Sequence, residues 1–123
     1  MARNIIDLPT LGDDGKLYRD TAVDMVESLI PNPWESCHAP DLLELENGDL
    51  LCCWFAGSRE GNADISIAVA RLPADAEQWE QPVIVSDDPT RSEQNPSLFQ
   101  NPNGDIWLMY TAQAAKKPDG PYS

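Results

Sequence analysis

The sequence lacks several features that mark common functional classes. It has no apolar run of the roughly 20 residues that a membrane helix needs, and its start, MARNIIDLPTLGDDG, has no basic segment followed by a hydrophobic core. We therefore expect a cytoplasmic protein that does not associate with membranes. Basic residues are also few, because 8 lysines and arginines accompany 21 acidic residues and give a formal charge of −13. This charge disfavours nucleic acid as a partner, since phosphate would be repelled.

Cysteine and histidine are equally scarce. Three cysteines, an odd number, argue against a disulfide framework. Cys52 and Cys53 are neighbours in a predicted strand, so their side chains point to opposite faces, and we interpret them as buried apolar residues. Cys37-His38 has no second pair of ligands at zinc spacing. The sequence therefore predicts neither a metal nor another cofactor.

Two segments look like copies of one another, and they predict the architecture. Residues 39–57, APDLLELENGDLLCCWFAG, align without a gap with residues 95–113, NPSLFQNPNGDIWLMYTAQ, at an offset of 56 residues. Each copy has an apolar run, an Asn-Gly pair and a second apolar run, which is the pattern of a β-hairpin with a type I′ turn. A unit of about 50 residues has the length of one four-stranded β-propeller blade.

The segments around the two copies supply the remaining predicted strands. After the first hairpin come an alternating stretch at 64–71 and a short one at 82–86, so that four strands lie between the start of one repeat and the start of the next. An earlier strand is expected at 25–30. Proline-rich and polar sequence predicts loops at 31–38 and 87–94.

We therefore predict an all-β chain that is part of a propeller, with about two blades of four antiparallel strands. Blade one would span about 39–86, and blade two would begin at about 95–113. Residues 1–24 are polar and turn-rich and are expected to form an irregular leader before the propeller portion, 25–123. Closed propellers have about 4–8 blades, so we expect this chain to be a fragment of a longer protein.

Strand direction brings a group of polar residues to one end of the predicted sheets. Antiparallel strands alternate in direction, so the start of each hairpin lies at the same end as the loop that follows the hairpin. The expected group is His38, Arg59, Glu60, Asp64, Arg91, Glu93, Gln94 and Asn95. The two Asn-Gly turns lie at the opposite end, where we expect no chemistry.

These residues carry a family resemblance. His38-Ala39-Pro40, the run LLELENGDLL, WFAGSREG at 54–61 and NPSLFQNPNGDIWLMY at 95–110 resemble the first two blades of sialidase-like propellers, which have bacterial neuraminidase repeats and usually six blades. The resemblance covers about residues 25–113. It departs from the family at His38, where sialidases typically have the arginine of an Arg-Ile-Pro motif, and at 72–79, where only Trp79 of the Asp-box remains. The family's catalytic tyrosine, its partner glutamate and the later arginines would lie beyond Ser123.

The resemblance implies a glycan-active site, and the residue types suggest which side chains bind the sugar. A guanidinium group is planar, permanently charged and bidentate toward carboxylates. Arg59 is therefore the first candidate for binding an acidic sugar, and Arg91 is the second. Gln94 and Asn95 are further candidate substrate-binding residues, and Trp34 is a candidate for stacking on a sugar ring.

Cleavage of a glycosidic bond also needs an acid that protonates the leaving oxygen. In sialidases this acid is an aspartate in the loop after the second strand, which implies Asp64, while Glu60 remains open because the loop is short. His38, the only histidine, is a candidate sugar ligand or a general base near neutral pH.

The primary hypothesis is a sialidase-like glycoside hydrolase domain that acts on an acidic or modified glycan, with its site incomplete in this chain. The alternative is a non-catalytic propeller that binds a carbohydrate or a protein through the same face. A polysaccharide lyase with His38 as its base is a third, weaker option.

An incomplete site has a direct consequence. We expect the 123-residue chain to release no fluorophore from a fluorogenic sialoside above the buffer blank, because the tyrosine and later arginines of the family are not present. Measurable turnover that disappears in His38→Ala or Asp64→Ala would show that this expectation is wrong.

Overall fold

A computed structural model describes residues 5–8 and 11–116. All nine elements of regular structure in these residues are strands, which confirms the predicted all-β class: β1 (Ile6–Asp7), β2 (Tyr18–Asp20), β3 (Met25–Glu27), β4 (Ser36–Glu44), β5 (Leu50–Gly57), β6 (Ser66–Leu72), β7 (Val83–Ile84), β8 (Arg91–Gln100) and β9 (Ile106–Ala114). They form three sheets, in the orders β1-β2-β3, β4-β5-β6-β7 and β8-β9. The same residues contain no helix that is long and apolar enough to cross a membrane.

Strand β5 is the centre of the four-stranded sheet and is buried on both faces. It pairs antiparallel with β4 on one side, apart from a bulge in β4, and with β6 on the other side over Leu50–Ala56. Because side chains alternate along a strand, Cys52 and Trp54 enter one apolar cluster while Cys53 and Phe55 enter a second cluster on the opposite face. A continuous apolar run is what a strand needs when both faces are covered.

Different parts of the chain cover the two faces of this sheet. On the first face lie Leu17 from the N-terminal segment and Trp79 from the connection after β6, with Ile30 and Trp34 packed beside them. On the second face lies the β8-β9 hairpin, which contributes Leu98. The four-stranded sheet is therefore the middle of three layers.

The two predicted hairpins are confirmed, and their turns have the same geometry. Gly48 and Gly104 have φ values of 90° and 95°, and no asparagine of either turn has a positive φ. The expected type I′ turn is therefore wrong, because that type needs a positive φ at both central residues. Each turn is instead a tight turn that ends in a glycine, in which Asn47 Oδ1 accepts a hydrogen bond from the Asp49 amide at 3.0 Å, an interaction repeated by Asn103 and Asp105 at 3.1 Å.

Both hairpins also carry a bulge that their sequence pattern did not reveal. Ala39 and Asn95, which are equivalent in the repeat, have φ values of 54° and 53°, and the strand register shifts at both places. Each bulge includes the following proline, Pro40 or Pro96, so the missing N–H removes no regular ladder hydrogen bond. Both first strands therefore continue into predicted loops, since β4 begins at Ser36 and β8 begins at Arg91.

The prediction that residues 1–24 are irregular was wrong in part, because strands β1 and β2 lie within them. Strand β2 pairs with β1 and with β3, and Leu17 and Tyr18 are buried. The Leu17 amide donates to the Glu77 carbonyl at 3.2 Å, and the Trp79 amide donates to the Gly15 carbonyl at 2.9 Å. These long-range backbone bonds order the segment, and no local sequence period reports them.

A partly exposed ion pair between Asp49 and Arg71 lies at the end of the sheet that carries the turns. Asp49 Oδ2 accepts hydrogen bonds from Arg71 Nε at 2.8 Å and Nη2 at 2.5 Å, and Asp49 Oδ1 accepts one from the Ala74 amide at 2.8 Å. The hydrogen bond from Arg71 is the main reason why the pKa of Asp49 lies below its ordinary value. The first hairpin turn is thereby fixed to the end of β6.

We expect Asp49→Asn to lower the stability of the protein near neutral pH. Because the pKa of Asp49 is depressed in the folded state, its contribution is complete above the ordinary aspartate value of about 3.9 and is lost as the pH falls through the lower folded value. In urea unfolding, the difference in the free energy of unfolding between wild type and Asp49→Asn should be largest near pH 7 and should decrease below about pH 4.

Asp105→Asn is the matched control, because Asp105 occupies the same position in the second turn and its carboxylate accepts no hydrogen bond among the described residues. If the difference in the free energy of unfolding between wild type and Asp49→Asn stays constant down to low pH, the role given to the ion pair is contradicted.

Candidate functional site

The strand order brings one loop and two strand starts to the same end of the molecule. The loop 58–65 follows β5, and the starts of β4 and β8 lie at this end because neighbouring strands are antiparallel. The Glu93 amide donates to the Ile65 carbonyl at 3.0 Å, and the Lys116 amide donates to the Gly61 carbonyl at 2.6 Å. The loop is thus hydrogen-bonded to the start of β8 and to the residue pair that follows β9.

Arg59 and Glu60 lie in a tight turn of this loop, and both are exposed. The turn is closed by the Asn62 amide, which donates to the Arg59 carbonyl at 3.1 Å. Within the part of the chain that the structure describes, the Arg59 guanidinium forms no salt bridge. Its charge is therefore available to an anionic ligand.

Asp64 closes the same loop and remains exposed. Its Oδ2 accepts a hydrogen bond from the Ser58 amide at 3.2 Å. Gly57 permits this approach, because a Cβ at that position would lie 2.8 Å from the Asp64 carbonyl oxygen. The loop geometry therefore fixes where the Asp64 carboxylate stands.

Two open clefts meet at Asp64. One, of about 380 Å³, is lined by Pro33, Trp34, Glu35, Gly57, Ser58 and Asp64. The other, of about 370 Å³, is lined by Ala63, Asp64, Ser66, Ser86, Asp87, Asp88 and Pro89. The structure thus brings Asp64 together with Trp34, in a cleft that contains two carboxylates, those of Glu35 and Asp64, and an indole.

His38 does not line either of these clefts. His38 is exposed, and the centroid of its ring lies 5.7 Å from the centroid of the Phe55 ring. It lines a separate, mostly apolar pocket of about 330 Å³ with Cys37, Pro40 and Trp54 among its neighbours. The structure therefore does not pair His38 with Asp64.

The predicted residues of β8 differ in their surroundings. Arg91 and Asn95 are exposed, whereas Gln94 is buried, and its Nε2 already donates to Ser92 Oγ at 2.9 Å. Asp88, beside this strand, has a lowered pKa, chiefly because the Thr90 hydroxyl donates to it at 2.6 Å and to a smaller extent because of the Arg91 charge. Only Arg91 and Asn95 present their side chains to solvent.

Glu93 is a buried carboxylate. The sequence predicts it at this end of the sheets and assigns it no function. It is 1% exposed, and its Oε1 accepts a hydrogen bond from the Asp88 amide at 3.3 Å. Burial raises the pKa of Tyr110, and the Glu93 carboxylate beside it raises it further. Glu93 therefore links the 87–91 segment to β9 beneath the surface. Nothing in its sequence neighbourhood distinguishes it from a solvated acid.

A family model described as a BNR repeat-like domain matches residues 48–121, which is more than half of the chain. The chain belongs to the BNR repeat-like domain family. The resemblance to sialidase-like proteins with neuraminidase repeats is thereby confirmed. Comparison with curated proteins and with solved structures finds no match.

The extent of the match separates the candidate residues of this BNR repeat-like domain. Arg59, Glu60, Asp64 and Arg91 lie inside the matched region, whereas His38 precedes it. His38 lines its own pocket, whereas Trp34, which also precedes the matched region, lines a cleft with Asp64.

The thiols of the BNR repeat-like domain lie in contrasting environments. Cys37 is exposed, whereas Cys52 and Cys53 are buried. Burial raises the pKa of Cys52 to about 11 and that of Cys53 to about 12. The two buried cysteines are therefore neutral thiols near pH 7, and thiolate is the reactive form.

We expect a thiol reagent such as a maleimide to modify one cysteine rapidly in the native protein near neutral pH. Mass spectrometry should identify Cys37 as the modified residue, and unfolding in urea should expose all three. Cys37→Ser should abolish the rapid phase. Rapid native labelling of Cys52 or Cys53 would show that β5 is not buried on both faces.

Proposed function

We propose that this BNR repeat-like domain is part of a six-bladed, sialidase-like propeller that hydrolyses acidic or modified glycans. The four-stranded antiparallel sheet has the composition of one blade. The first strands of the two repeats, β4 and β8, lie beside each other, since Asp41 Oδ2 accepts a hydrogen bond from the Leu98 amide at 2.8 Å and Gln100 Oε1 accepts one from the Glu46 amide at 3.0 Å. Neighbouring first strands are expected of blades arranged around a common axis.

The observation that carries the proposed activity is the position of Asp64 in an open cleft beside Trp34, on the same loop as Arg59, which has no ion-pair partner among the described residues. Arg59 would bind the carboxylate of an acidic sugar through two parallel N–H···O bonds. Trp34 would stack against the apolar face of the sugar ring. Exposed Arg91 and Asn95 would add donors from the neighbouring strand.

Asp64 is the proposed proton donor. In its protonated form it would give a proton to the glycosidic oxygen as the bond to the leaving group breaks, and it would return to the carboxylate form. The Ser58 amide, which donates to Asp64 Oδ2 at 3.2 Å, orients the carboxyl group and leaves Oδ1 for the substrate. Glu60 is the second candidate for the same role.

We expect the chain to bind sialyllactose and to bind lactose much more weakly, because only the first sugar offers a carboxylate to Arg59. In titrations followed by ¹H–¹⁵N NMR, the shifts should concentrate on Trp34, Ser58, Arg59 and Asp64. Arg59→Ala should weaken binding of sialyllactose about tenfold, since it removes a charge-assisted contact. Asp64→Asn should leave binding nearly unchanged, because the proposed acid acts on the bond that breaks.

Arg19→Ala is the matched control for Arg59→Ala. Arg19 lies 3.6 Å from Asp24 in an ion pair remote from loop 58–65, so its removal should not alter sugar binding. Equal affinity for lactose and sialyllactose would overturn the carboxylate clamp. The absence of binding to both sugars would overturn the glycan function itself.

A further inference from the structure

Glu93 is a buried carboxylate that the proposed chemistry does not use. It is 1% exposed, and it lies at the start of β8 between Ser92 and Gln94, which are also buried. Glutamate is rarely buried, because hydrogen bonds or opposite charges must replace the hydration that its carboxylate loses. The partners of Glu93 therefore indicate what its burial achieves.

Glu93 is hydrogen-bonded to both walls of the cleft of about 370 Å³. Its amide donates to the Ile65 carbonyl at 3.0 Å, and Ile65 directly follows Asp64 of the first wall. Its Oε1 accepts a hydrogen bond from the Asp88 amide at 3.3 Å, and Asp88 lies on the second wall. A buried residue thus links the two walls of an open cleft.

The second wall leads into Arg91 through a turn that is built around Asp88. The Arg91 amide donates to the Asp88 carbonyl at 3.3 Å. Asp88 Oδ1 accepts hydrogen bonds from the Thr90 amide at 3.0 Å and from the Thr90 hydroxyl at 2.6 Å. Because the Asp88 amide joins this turn to Glu93, the Glu93 carboxylate helps to fix the direction in which Arg91 leaves the turn.

Tyr110 holds the Glu93 carboxylate from β9. Glu93 pairs with Ala112 across the second hairpin, and Tyr110 lies two residues away from Ala112 on the same face of β9. The Tyr110 hydroxyl is hydrogen-bonded to Glu93, and the pKa of Tyr110 is raised first by burial and then by the Glu93 charge. A neutral phenol donates to a carboxylate, so Glu93 is held between β9 and the Asp88 amide.

We propose that Glu93 is a positioning residue, which holds Arg91 and Asp64 on opposite walls of the cleft so that both reach the same acidic sugar. The inference rests on the proposed glycan function and adds a residue that touches no substrate. A sugar that contacts both walls binds more tightly when the walls are already in place, because less conformational entropy is lost on binding. The side chain of Glu93 therefore affects affinity through the Asp88 amide.

The test measures sialyllactose affinity and amide hydrogen exchange by NMR in the wild-type chain, in Glu93→Ala and in Glu93→Gln. Glu93→Ala removes the acceptor of the Asp88 amide. We therefore expect sialyllactose to bind about fivefold more weakly and the Asp88 amide to exchange several-fold faster. Glu93→Gln has a similar volume and retains an oxygen that accepts from the Asp88 amide, so both quantities should return to within about twofold of the wild type.

Ser92→Ala is the matched control for Glu93→Ala. Ser92 is buried beside Glu93, and its hydroxyl accepts a hydrogen bond from Gln94 Nε2 at 2.9 Å. The variant therefore loses a buried hydrogen bond but keeps both hydrogen bonds from Glu93 to the cleft walls, and its sialyllactose affinity and Asp88 exchange should match the wild type. Equal weakening in Ser92→Ala and Glu93→Ala would overturn the proposal, because it would indicate a general loss of stability.

The two measurements separate the positioning role from the glycan function. Weak binding that Glu93→Gln does not restore would overturn the positioning role, since an accepted hydrogen bond would then not be its cause. If the wild type binds neither sialyllactose nor lactose, the glycan function fails and Asp88 exchange decides alone. Faster exchange in Glu93→Ala would then support the link between the walls, and equal exchange in wild type and Glu93→Ala would overturn it.

Discussion

The burial of β5 on both faces is the constraint on which the rest of this structure depends. A strand with the sequence LLCCWFAG cannot leave either face in water, because fully burying a large apolar side chain contributes about 1.5–3 kcal/mol. Phe55 and Cys53 require a cover on one side, and Trp54 and Cys52 require one on the other. The second hairpin supplies the first cover. The N-terminal segment, through Leu17, supplies the second, which explains why a polar and turn-rich leader is ordered.

The elements that could be predicted are those whose signals are local. Asn-Gly turns, apolar runs and the 56-residue offset located both hairpins and the order of the four-stranded sheet. The start of each hairpin could not be located, because Pro40 and Pro96 normally end a strand and here occupy bulges with a positive φ at the preceding residue. Strand β3 lies within the strand predicted at 25–30, whereas β1 and β2 escaped prediction for a different reason. They depend on backbone hydrogen bonds to residues 77–79, some 60 positions away.

For the candidate site, the sequence predicts which end of the sheets carries the polar residues, but it does not predict which of their side chains are exposed. Strand direction alone groups the polar residues at one end, and the structure has this arrangement. Alternation then fails at the start of β8, where Ser92, Glu93 and Gln94 are buried in succession. Three consecutive buried residues are impossible in a regular half-exposed strand, and they arise because this segment passes between loop 58–65 and β9. Gln94 and Glu93 therefore lie inside the protein, while Arg91 and Asn95 face solvent.

The repeat consequently determines the position of the site as well as the packing of the sheets. Loop 58–65 belongs to the first repeat, yet its backbone is hydrogen-bonded to Glu93 at the start of β8 and to Lys116 just after β9. Arg59 and Asp64 thus stand where they do because the second hairpin has docked on β5. The same packing of the second hairpin on β5 buries Leu98 in the cluster that contains Phe55 and holds the loop that carries Asp64. A change that loosens the contact between the repeats will therefore disturb the site, even when it lies far from loop 58–65.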